Sequence, residues 1–356
     1  MEIIKPDTRI DFIGKRKFAF AASLILIAIG IISLVAKGGP RYGIDFAGGT
    51  IVQVRFSQKI TPHAIKEALK PVNMEITSVQ SFGEKKNYEF LIRAAKTSAA
   101  LESLSANIKK NLESSHPENR VEVRRVEMVG PKVGKDLREK ALLAIFSAML
   151  LLIVYISGRF ELKWMPSVVM AASLIVVLLA LKKVGLSIPI LIIVAVLVTL
   201  ALGFYLKLRF AMGAIVALIH DVMITAGVFS LTNREFTLPI IAALLTIIGY
   251  SLNDTIIVFD RIRENSRKYH RQPFNVIINR SINETLSRTM LTSMTTLIVV
   301  VSLFVLGGGI IHDFAFAMII GIVVGTYSSI YVASPVLIAW QQAQARLKGR
   351  SMGKRR

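Results

Sequence analysis

The residue with the clearest chemical potential is an acid inside an apolar stretch. Asp254 lies within the run Leu238–Phe259, where an ionised carboxylate would be withdrawn from water. A charge at the bilayer centre costs about 2.5 kcal/mol or more, so acids kept there serve ion passage, proton relay or ion pairing. Arg288 precedes the apolar run Met290–Leu306 and is the natural basic partner. We therefore predict that Asp254 and Arg288 form a proton-coupling pair.

Other polar side chains in or beside the apolar runs are secondary candidates. Asp221 and His220 lie near the middle of their run, and we interpret them as a satisfied polar pair that shapes a helix bundle, with a relay role as the alternative. Asp254 could likewise be held by hydroxyl groups on facing helices without any proton traffic. The candidate relay or bundle contacts are Asp221, His220, Ser251, Asn253, Thr292 and Thr295.

Several kinds of chemistry are not indicated. The chain has no cysteine, which excludes disulfides, thiolate catalysis and cysteine-ligated metals. Its five histidines show no metal-ligand spacing, and its glycine-containing stretches lack the context and lysine of a phosphate loop. We expect no catalytic residue, no enzyme activity, no metal and no cofactor.

Composition predicts an integral membrane protein. Apolar residues make up 53% of the chain and the mean hydropathy is +0.57, far above the needs of a soluble core. Runs of about 20 apolar residues can cross a bilayer as helices. Eight such runs are predicted: Phe18–Ala36, Ala141–Ile156, Met165–Leu181, Val184–Leu206, Phe210–Leu231, Leu238–Phe259, Met290–Leu306 and Phe314–Trp340.

The positive charges predict the orientation. Lys15, Arg16 and Lys17 precede the first run, which we interpret as an uncleaved anchor with its N-terminus in the cytoplasm. Basic residues are concentrated in the segments assigned to the inside, and an even number of spans returns the C-terminus there. The basic tail would contact anionic lipid, so the net charge of +21 requires no nucleic acid. The predicted organisation is a cytoplasmic segment 1–17, a first span 18–36, a periplasmic domain 37–140, a bundle 141–340 and a basic cytoplasmic tail 341–356.

The segment between the first two spans predicts a small α+β domain. Thr50–Phe56 alternates as a strand, Thr61 caps a helix that Pro62 opens, and Met74–Val79 reads as a second strand. The unit then repeats in mirrored order. Its parts are a strand at Asn87–Arg93, a helix at Thr97–Leu112 and a strand at Arg120–Met128. The order βαββαβ favours a ferredoxin-like sandwich, a fold that by itself specifies no activity.

Several long motifs carry a resemblance to a known family. The sequence is similar to the protein-export membrane protein SecF, within the SecD/SecF family of the RND superfamily, almost from end to end. The motifs are IDFIGKRK (10–17), YGIDFAGG (42–49), VGPKVGKDL (129–137), ALIHD (217–221), IIGYSLNDTIIVFDRIREN (247–265), SRTMLTSMTTL (287–297) and GTYSSIYVASP (325–335).

This resemblance implies a partner and a role. Members of the family work with SecD beside the SecYEG channel in the bacterial inner membrane, where the proton-motive force helps to complete preprotein export. YajC, YidC, the translocating preprotein and membrane lipids are further expected contacts. The family's intramembrane acid and its basic partner correspond to Asp254 and Arg288. The family's motif turn corresponds to Gly43, Asp45, Phe46, Gly48 and Gly49.

One departure from the family pattern is expected. The family has six spans, whereas this chain has room for eight. The added apolar stretch, about residues 164–207, predicts an inserted helical hairpin that preserves sidedness. Pro189 could kink its second helix or make the insertion re-entrant.

The mechanism suggested by the sequence is a protonation switch. Asp254 would load a proton from outside and release it inside as Arg288 moves or water enters, and the outer domain would turn that bias into a pull on polypeptide. The alternative is a half-unit of an RND-type proton-driven efflux or lipid transporter. Two further alternatives are an intramembrane aspartyl protease, which would use Asp221 with Asp254, and a purely structural membrane scaffold.

Overall fold

The chain folds into a bundle of long helices that carries a small four-stranded sheet domain. The computed structural model describes residues 9–72, 76–82, 87–94, 101–183 and 188–353. The elements are α1 Arg16–Ala36, α2 Ile44–Ala47, β1 Gly49–Phe56, α3 Pro62–Ala68, β2 Ile76–Phe82, β3 Glu89–Ala94, α4 Leu101–Ser115, β4 Val121–Val129, α5 Pro131–Glu161, α6 Trp164–Lys183, α7 Ile188–Tyr205, α8 Arg209–Leu231, α9 Leu238–Lys268, α10 Phe274–Leu306, α11 Gly309–Ser328, a π-helical turn Ser329–Ala333 and α12 Ser334–Gly353.

Six helical segments in the described part of the chain are long and apolar enough to cross a membrane. They are Arg16–Ala36, Pro131–Glu161, Arg209–Leu231, Leu238–Lys268, Phe274–Leu306 and Ile311–Arg346. The remaining two predicted runs correspond to α6 and α7, whose described apolar parts are shorter, Trp164–Val177 and Ile193–Tyr205. The tip of the predicted hairpin, 184–187, lies outside the described residues.

Three helices extend beyond the apolar runs that predicted them. α5 starts at Pro131 instead of Ala141, α9 continues to Lys268, and α10 begins at Phe274 instead of Met290. A helix continues wherever its backbone hydrogen bonds and side-chain propensities allow, and it does not stop where the hydrocarbon ends. Proline at the first helical turn, where no amide is needed, sets the starts of α5 and α9.

The sheet domain follows the predicted order of strands and helices. Its four strands are all antiparallel in the order β2-β3-β1-β4. α3 and α4 cover one face, where Val52, Ile92 and Ile108 are fully buried. The Thr61 hydroxyl accepts a hydrogen bond from the Ala64 amide, which confirms the predicted cap. The predicted starts of β2 and α4 fall on residues 73–75 and 95–100, outside the described ranges.

Small residues bring the helices of the bundle into close contact. A Cβ atom added to Gly30 of α1 would lie 2.8 Å from the Cα atom of Gly227 of α8. One added to Gly325 of α11 would lie 2.9 Å from the Ser251 Cβ atom of α9. Without a hydrophobic drive between helices in lipid, such close backbone approach stabilises their association. It also places the polar side chains of α8, α9 and α11 within hydrogen-bonding reach of one another.

Candidate functional site

Asp254 lies in the centre of the bundle, on the face of α9 that is turned toward α10 and α11. The residue is only 1% exposed. One carboxylate oxygen accepts a hydrogen bond of 3.3 Å from the Ser293 hydroxyl of α10. Ser293 in turn shares a hydrogen bond of 2.7 Å with the Thr326 hydroxyl of α11. The acid is thus connected by neutral hydroxyl groups to two further helices.

The predicted ion pair between Asp254 and Arg288 is not present. Arg288 is exposed on the outer surface of α10, and none of the ion pairs among the described residues contains it. The side of α10 that is buried in the bundle carries Thr289 and Ser293. Because successive helix positions rotate by about 100°, Arg288 falls on a different face from these two residues.

Of the three hydroxyl groups predicted to hold Asp254, that of Thr292 interacts with its carboxyl group, whereas those of Ser251 and Thr295 do not. The Ser251 hydroxyl donates to Asp221 instead of Asp254. The hydroxyls of Thr292 and Thr295 donate to carbonyls of their own helix, at 3.0 Å to Arg288 and 2.9 Å to Leu291. Asn253 and Thr295 are exposed on the outer surface of the bundle.

Asp221 and His220 occupy a second polar site, in which every carboxylate oxygen has partners. His220 Nδ1 lies 2.8 Å from Asp221 Oδ1. Asp221 Oδ2 accepts hydrogen bonds from the hydroxyls of Ser251, at 2.5 Å, and Ser328, at 2.9 Å. On the other side of the ring, His220 Nε2 lies 3.0 Å from the Ser23 hydroxyl of α1. The site therefore joins α1, α8, α9 and α11.

The two polar sites are neighbours along the same helices. Ser251 and Asp254 are one turn apart on α9, and Thr326 and Ser328 lie close together on α11. The π-helical turn that follows α11 begins at Ser329. Such turns inside α-helices frequently mark functional positions. The two polar sites therefore share helices α9 and α11.

The predicted motif turn connects the sheet domain to the bundle. The Gly43 amide donates to the Phe236 carbonyl at 2.8 Å, and Phe236 and Tyr42 form a parallel bridge. Asp45 Oδ2 accepts from the Leu238 amide at 2.8 Å, which satisfies a free amide at the start of α9. We call residues 41–45 together with 233–238 the outer joint.

The remaining members of the motif turn pack against the start of α5. Phe46 is buried, and Gly48 and Gly49 have φ angles of +77° and +120°, a region that favours glycine. A Cβ atom on Gly48 would lie 2.9 Å from the Cα atom of Pro131 at the start of α5. Glycine is therefore required both for the turn and for its close approach to α5.

Ion pairs reinforce the outer joint. Glu235 pairs with Arg93 of β3 and, at 3.3 Å, with Arg41. Burial, with a smaller contribution from the like charge of Arg41, lowers the pKa of Arg93 to about 10, so Arg93 remains a cation at neutral pH. Lys37 Nζ donates to Asn233 Oδ1 at 2.7 Å. The loop between the two acid-bearing helices is thus held directly by the sheet domain.

A cleft of about 400 Å³ lies between the open face of the sheet and the outer joint. Ile51, Gln53, Leu91 and Arg93 line it from the sheet. Within the part of the chain that the structure describes, no group of three or more His, Cys, Asp or Glu residues is arranged to hold a metal ion.

Sequence reasoning missed several residues of these sites. Ser293, Tyr327 and Ser328 lie in motifs that carried the family resemblance, so their positions were marked although their roles were not. Ser23 is one of two serines in the apolar run Phe18–Ala36, which was the available signal. Arg93 and Glu235 gave no signal, because their pairing joins segments far apart in sequence.

Comparisons with protein families agree with these observations. The family described as "Protein export membrane protein SecD/SecF, C-terminal" matches residues 107–200 and 180–343, and the "SecD/SecF GG Motif" matches residues 32–60. The two segments of the first match overlap within the region of α6 and α7. The motif match includes the whole turn from Gly43 to Gly49.

Individual relatives are similar over nearly the whole chain. The "Protein translocase subunit SecF" of Magnetococcus marinus is 43% identical over 341 residues, 95% of this chain and 94% of the relative. That of Calditerrivibrio nitroreducens is 41% identical over 337 residues, 94% and 95% of the two chains.

Solved structures show the same similarity. The crystal structure of SecDF, a translocon-associated membrane protein from Thermus thermophilus, gives a TM-score of 0.74 at 34% identity, covering 96% of this chain. SecDF in its super-membrane-facing form gives 0.63 at 32% identity and covers 99%. This chain spans only 40% and 41% of the length of those two SecDF chains.

Proposed function

The chain belongs to the SecD/SecF protein-export family, and we propose that it acts as the SecF subunit of a complex that couples the proton-motive force to late steps of preprotein export. The observation that carries this proposal is the outer joint. It attaches the loop between α8 and α9, the helices of Asp221 and Asp254, directly to the sheet domain. A change at a buried acid thereby has a short mechanical path to the outer surface.

The first step of the proposal is protonation of Asp254. An ionised Asp254 accepts a hydrogen bond from Ser293, while a protonated Asp254 donates to it and Ser293 then donates to Thr326. Hydroxyl groups both donate and accept, so the site accommodates either state without an orphaned polar atom. Among the residues that the structure describes, no cation is in contact with Asp254 to fix it in the ionised form. The site is therefore suited to gain and lose a proton, without any cofactor.

The second step is transmission. The transmembrane potential supplies about 2.3 kcal/mol for each charge moved through 100 mV. A change in the packing of α9 against α10 and α11 shifts the start of α9 at Leu238, where Asp45 caps it. The bridge between Tyr42 and Phe236 and the ion pairs of Glu235 carry that shift to the sheet domain. We infer that this domain is a ferredoxin-like sandwich that acts on the emerging polypeptide.

The third step concerns the partner. Asn253, Arg288 and Thr295 are exposed on the outer surface of α9 and α10, close in sequence to the exposed apolar residues Leu291, Met294 and Ile298. Polar and charged side chains are costly against lipid, so another protein would cover them. We propose SecD as that partner, since the SecDF chains contain a large further part beyond the segment that this chain matches. The SecYEG channel, preprotein, YajC, YidC and lipids are the other proposed contacts.

The proposed location is the bacterial inner membrane, with both termini in the cytoplasm. A half-unit of an RND-type efflux or lipid transporter remains the second candidate function. The cleft between the sheet and the outer joint is the specific observation in its favour, because it is large enough for a small ligand. Export assays and small-molecule transport assays separate the two.

The decisive experiment replaces Asp254 by Asn in the full complex. The amide keeps the size and hydrogen bonding of the acid but cannot exchange a proton. Export into membrane vesicles should lose its stimulation by the proton gradient, while the ATP-driven component and complex assembly persist. Asp260→Asn is the matched control, since Asp260 lies on the same helix in a half-exposed surface pair with Arg159. Undiminished stimulation in Asp254→Asn would refute the proposal.

A further inference from the structure

The second polar site has a feature that neither packing nor helix association requires. His220 and Asp221 are 4% and 1% exposed, yet they form an acid–base pair in the middle of the bundle. Around them, Ser23 and Tyr327 continue the hydrogen-bond chain away from Asp221. Ser23 lies 3.2 Å from the Tyr327 hydroxyl, and that hydroxyl lies 2.7 Å from the Ala19 carbonyl.

The donors and acceptors of this chain can be assigned one by one. A carbonyl oxygen only accepts, so the Tyr327 hydroxyl donates its hydrogen to Ala19. Tyr327 can then only accept from Ser23. Ser23 has a single hydrogen and two acceptors within reach, the Tyr327 oxygen and His220 Nε2. Its choice between them depends on whether His220 Nε2 carries a proton.

Two complete arrangements result, and they differ by one proton. In the first, His220 is protonated on both nitrogens: Nδ1 donates to Asp221, Nε2 donates to Ser23, and Ser23 donates to Tyr327. In the second, Nε2 is unprotonated and accepts from Ser23, whose hydroxyl has rotated away from Tyr327. Only the Ser23 hydroxyl must turn, so the switch needs no change in the backbone.

The charges around the pair favour such an exchange. With His220 protonated, its ring and the Asp221 carboxylate form a neutral unit, which the low-dielectric interior favours. After the proton leaves, the carboxylate retains donors from Ser251 and Ser328. Of the helices packed against α8, α11 places one titratable group beside the pair, Tyr327, whose ring stacks on His220 at 6.0 Å. α9 carries Asp254 one turn from Ser251. The described contacts of the pair include no lysine, arginine or further acid.

We propose that His220 and Asp221 form a second proton-binding site, which stores one proton on the His220 ring and exchanges it through Ser23. Uptake forms the Nε2–H bond with a proton from hydronium. Release breaks that bond and gives the proton to water by way of the Ser23 hydroxyl. Because Ser251 and Ser328 lie on α9 and α11, loading of this site is sensed one turn from Asp254. The coupling of this site to Asp254 rests on the proposed function, whereas proton binding by His220 does not.

The test is ¹⁵N nuclear magnetic resonance of the histidine-labelled complex in lipid nanodiscs, from about pH 5 to pH 9. The chain has five histidines, and His220→Gln identifies the signals of His220. We expect both ring nitrogens to be protonated at the acidic end and only Nδ1 at the alkaline end. One unchanging state across the range, or loss of the Nδ1 proton instead, would overturn the proposal.

Matched variants separate this role from a structural one. Ser23→Ala removes the hydroxyl that bonds Nε2 in both states and relays its proton, so the change of state in the ¹⁵N spectra should be displaced or lost. Thr225→Val removes a hydroxyl that donates only to the Asp221 backbone carbonyl, and it should leave the change of state where it was. Equal effects of both variants would contradict the assignment.

The readout is independent of export. If Asp254→Asn retains full proton stimulation while His220 changes state as expected, the proposed function fails and the second proton site stands. If His220 keeps one state while Asp254→Asn loses stimulation, only the second site fails.

Discussion

The two buried acids of the bundle have the same exposure but opposite environments. Asp221 and Asp254 are each 1% exposed and lie on neighbouring helices, α8 and α9. Asp221 has a histidine and two hydroxyl donors, with its shortest contact at 2.5 Å. The hydrogen bond that Asp254 receives from Ser293 is 3.3 Å long.

This difference indicates that Asp221 stabilises the bundle, whereas Asp254 is free to change its ionisation state. A buried charge is tolerated when hydrogen bonds and a counter-charge offset its desolvation. Asp221 has hydrogen bonds from Ser251 on α9 and Ser328 on α11, and the neighbouring His220 adds a counter-charge when it is protonated. Asp254 has little of either, so its ionised form is poorly compensated and a neutral form is accessible. Asp221 thus keeps its charge in both states of the second polar site, where His220 carries the exchangeable proton, whereas Asp254 is itself the group that gains and loses one.

The largest expected effect comes from removing the well-bonded acid. Asp221→Ala leaves His220, Ser251 and Ser328 without their common partner, and breaking a buried pair of this kind costs about 3–5 kcal/mol. Thermal unfolding of the purified complex in detergent should occur at a clearly lower temperature. Asp254→Ala, the matched variant, should lower it much less. A larger loss for Asp254→Ala would reverse the comparison.

A second variant tests the helix contact that the two sites share. Gly325→Val places side-chain atoms against Ser251, and overpacking of this kind costs about 1–3 kcal/mol. Separating α9 from α11 should reduce both thermal stability and gradient-driven export. Gly249 lies on the same helix as Ser251 with no atom within 4 Å of an added Cβ, so Gly249→Val provides the control. Similar losses in both variants would show that the contact is not specific.

A third variant addresses the outer joint. Glu235→Gln removes the carboxylate from Arg93 and Arg41, which leaves partly buried cations without their partner and costs about 1–3 kcal/mol. Gradient-stimulated export should fall although both acids of the bundle are intact. Glu118→Gln, an exposed position of the same domain, should have no effect. Normal stimulation in Glu235→Gln would mean that the joint transmits nothing.

The smallest effect is expected on the outer surface of the bundle. Thr295→Cys changes an exposed hydroxyl that bonds only to its own helix, so stability should change by no more than about 0.5 kcal/mol. Because the chain has no cysteine, this thiol is unique and can be cross-linked to the SecD-type partner. Ile193→Cys on α7, also exposed, is the comparison position. Cross-linking from α7 alone would place the partner on the other side of the bundle.

Local sequence patterns were sufficient to predict the helices and strands but not the contacts between them. Apolar runs located the long helices, alternation located the strands, and Thr61 and Pro62 marked the start of α3. The charged extensions of α5 and α9 were missed because hydropathy does not record where a helix ends. The short helix α2 within the motif turn was missed because four residues carry no periodicity.

The sequence identified the buried acids of the candidate site, but most of the contacts predicted for Asp254 were wrong. Asp254, Asp221 and His220 were identifiable because a polar residue in an apolar run is conspicuous. Arg288 was assigned to Asp254 because the two residues were expected at a similar depth in the membrane. Depth does not specify toward which side of its helix a side chain points. The structure places Arg288 outside and Ser293 beside the acid.

The sequence by itself determined the membrane class, the order of the elements, the family and the presence of two intramembrane acids. All of these depend on residue type and on spacing along one segment. The tertiary structure alone decided that Ser293 faces Asp254, that Ser23 reaches His220, and that the α8–α9 loop is tied to the sheet domain. Such contacts depend on the rotation of each helix about its axis and on the meeting of segments that are distant in sequence, and a local pattern encodes neither.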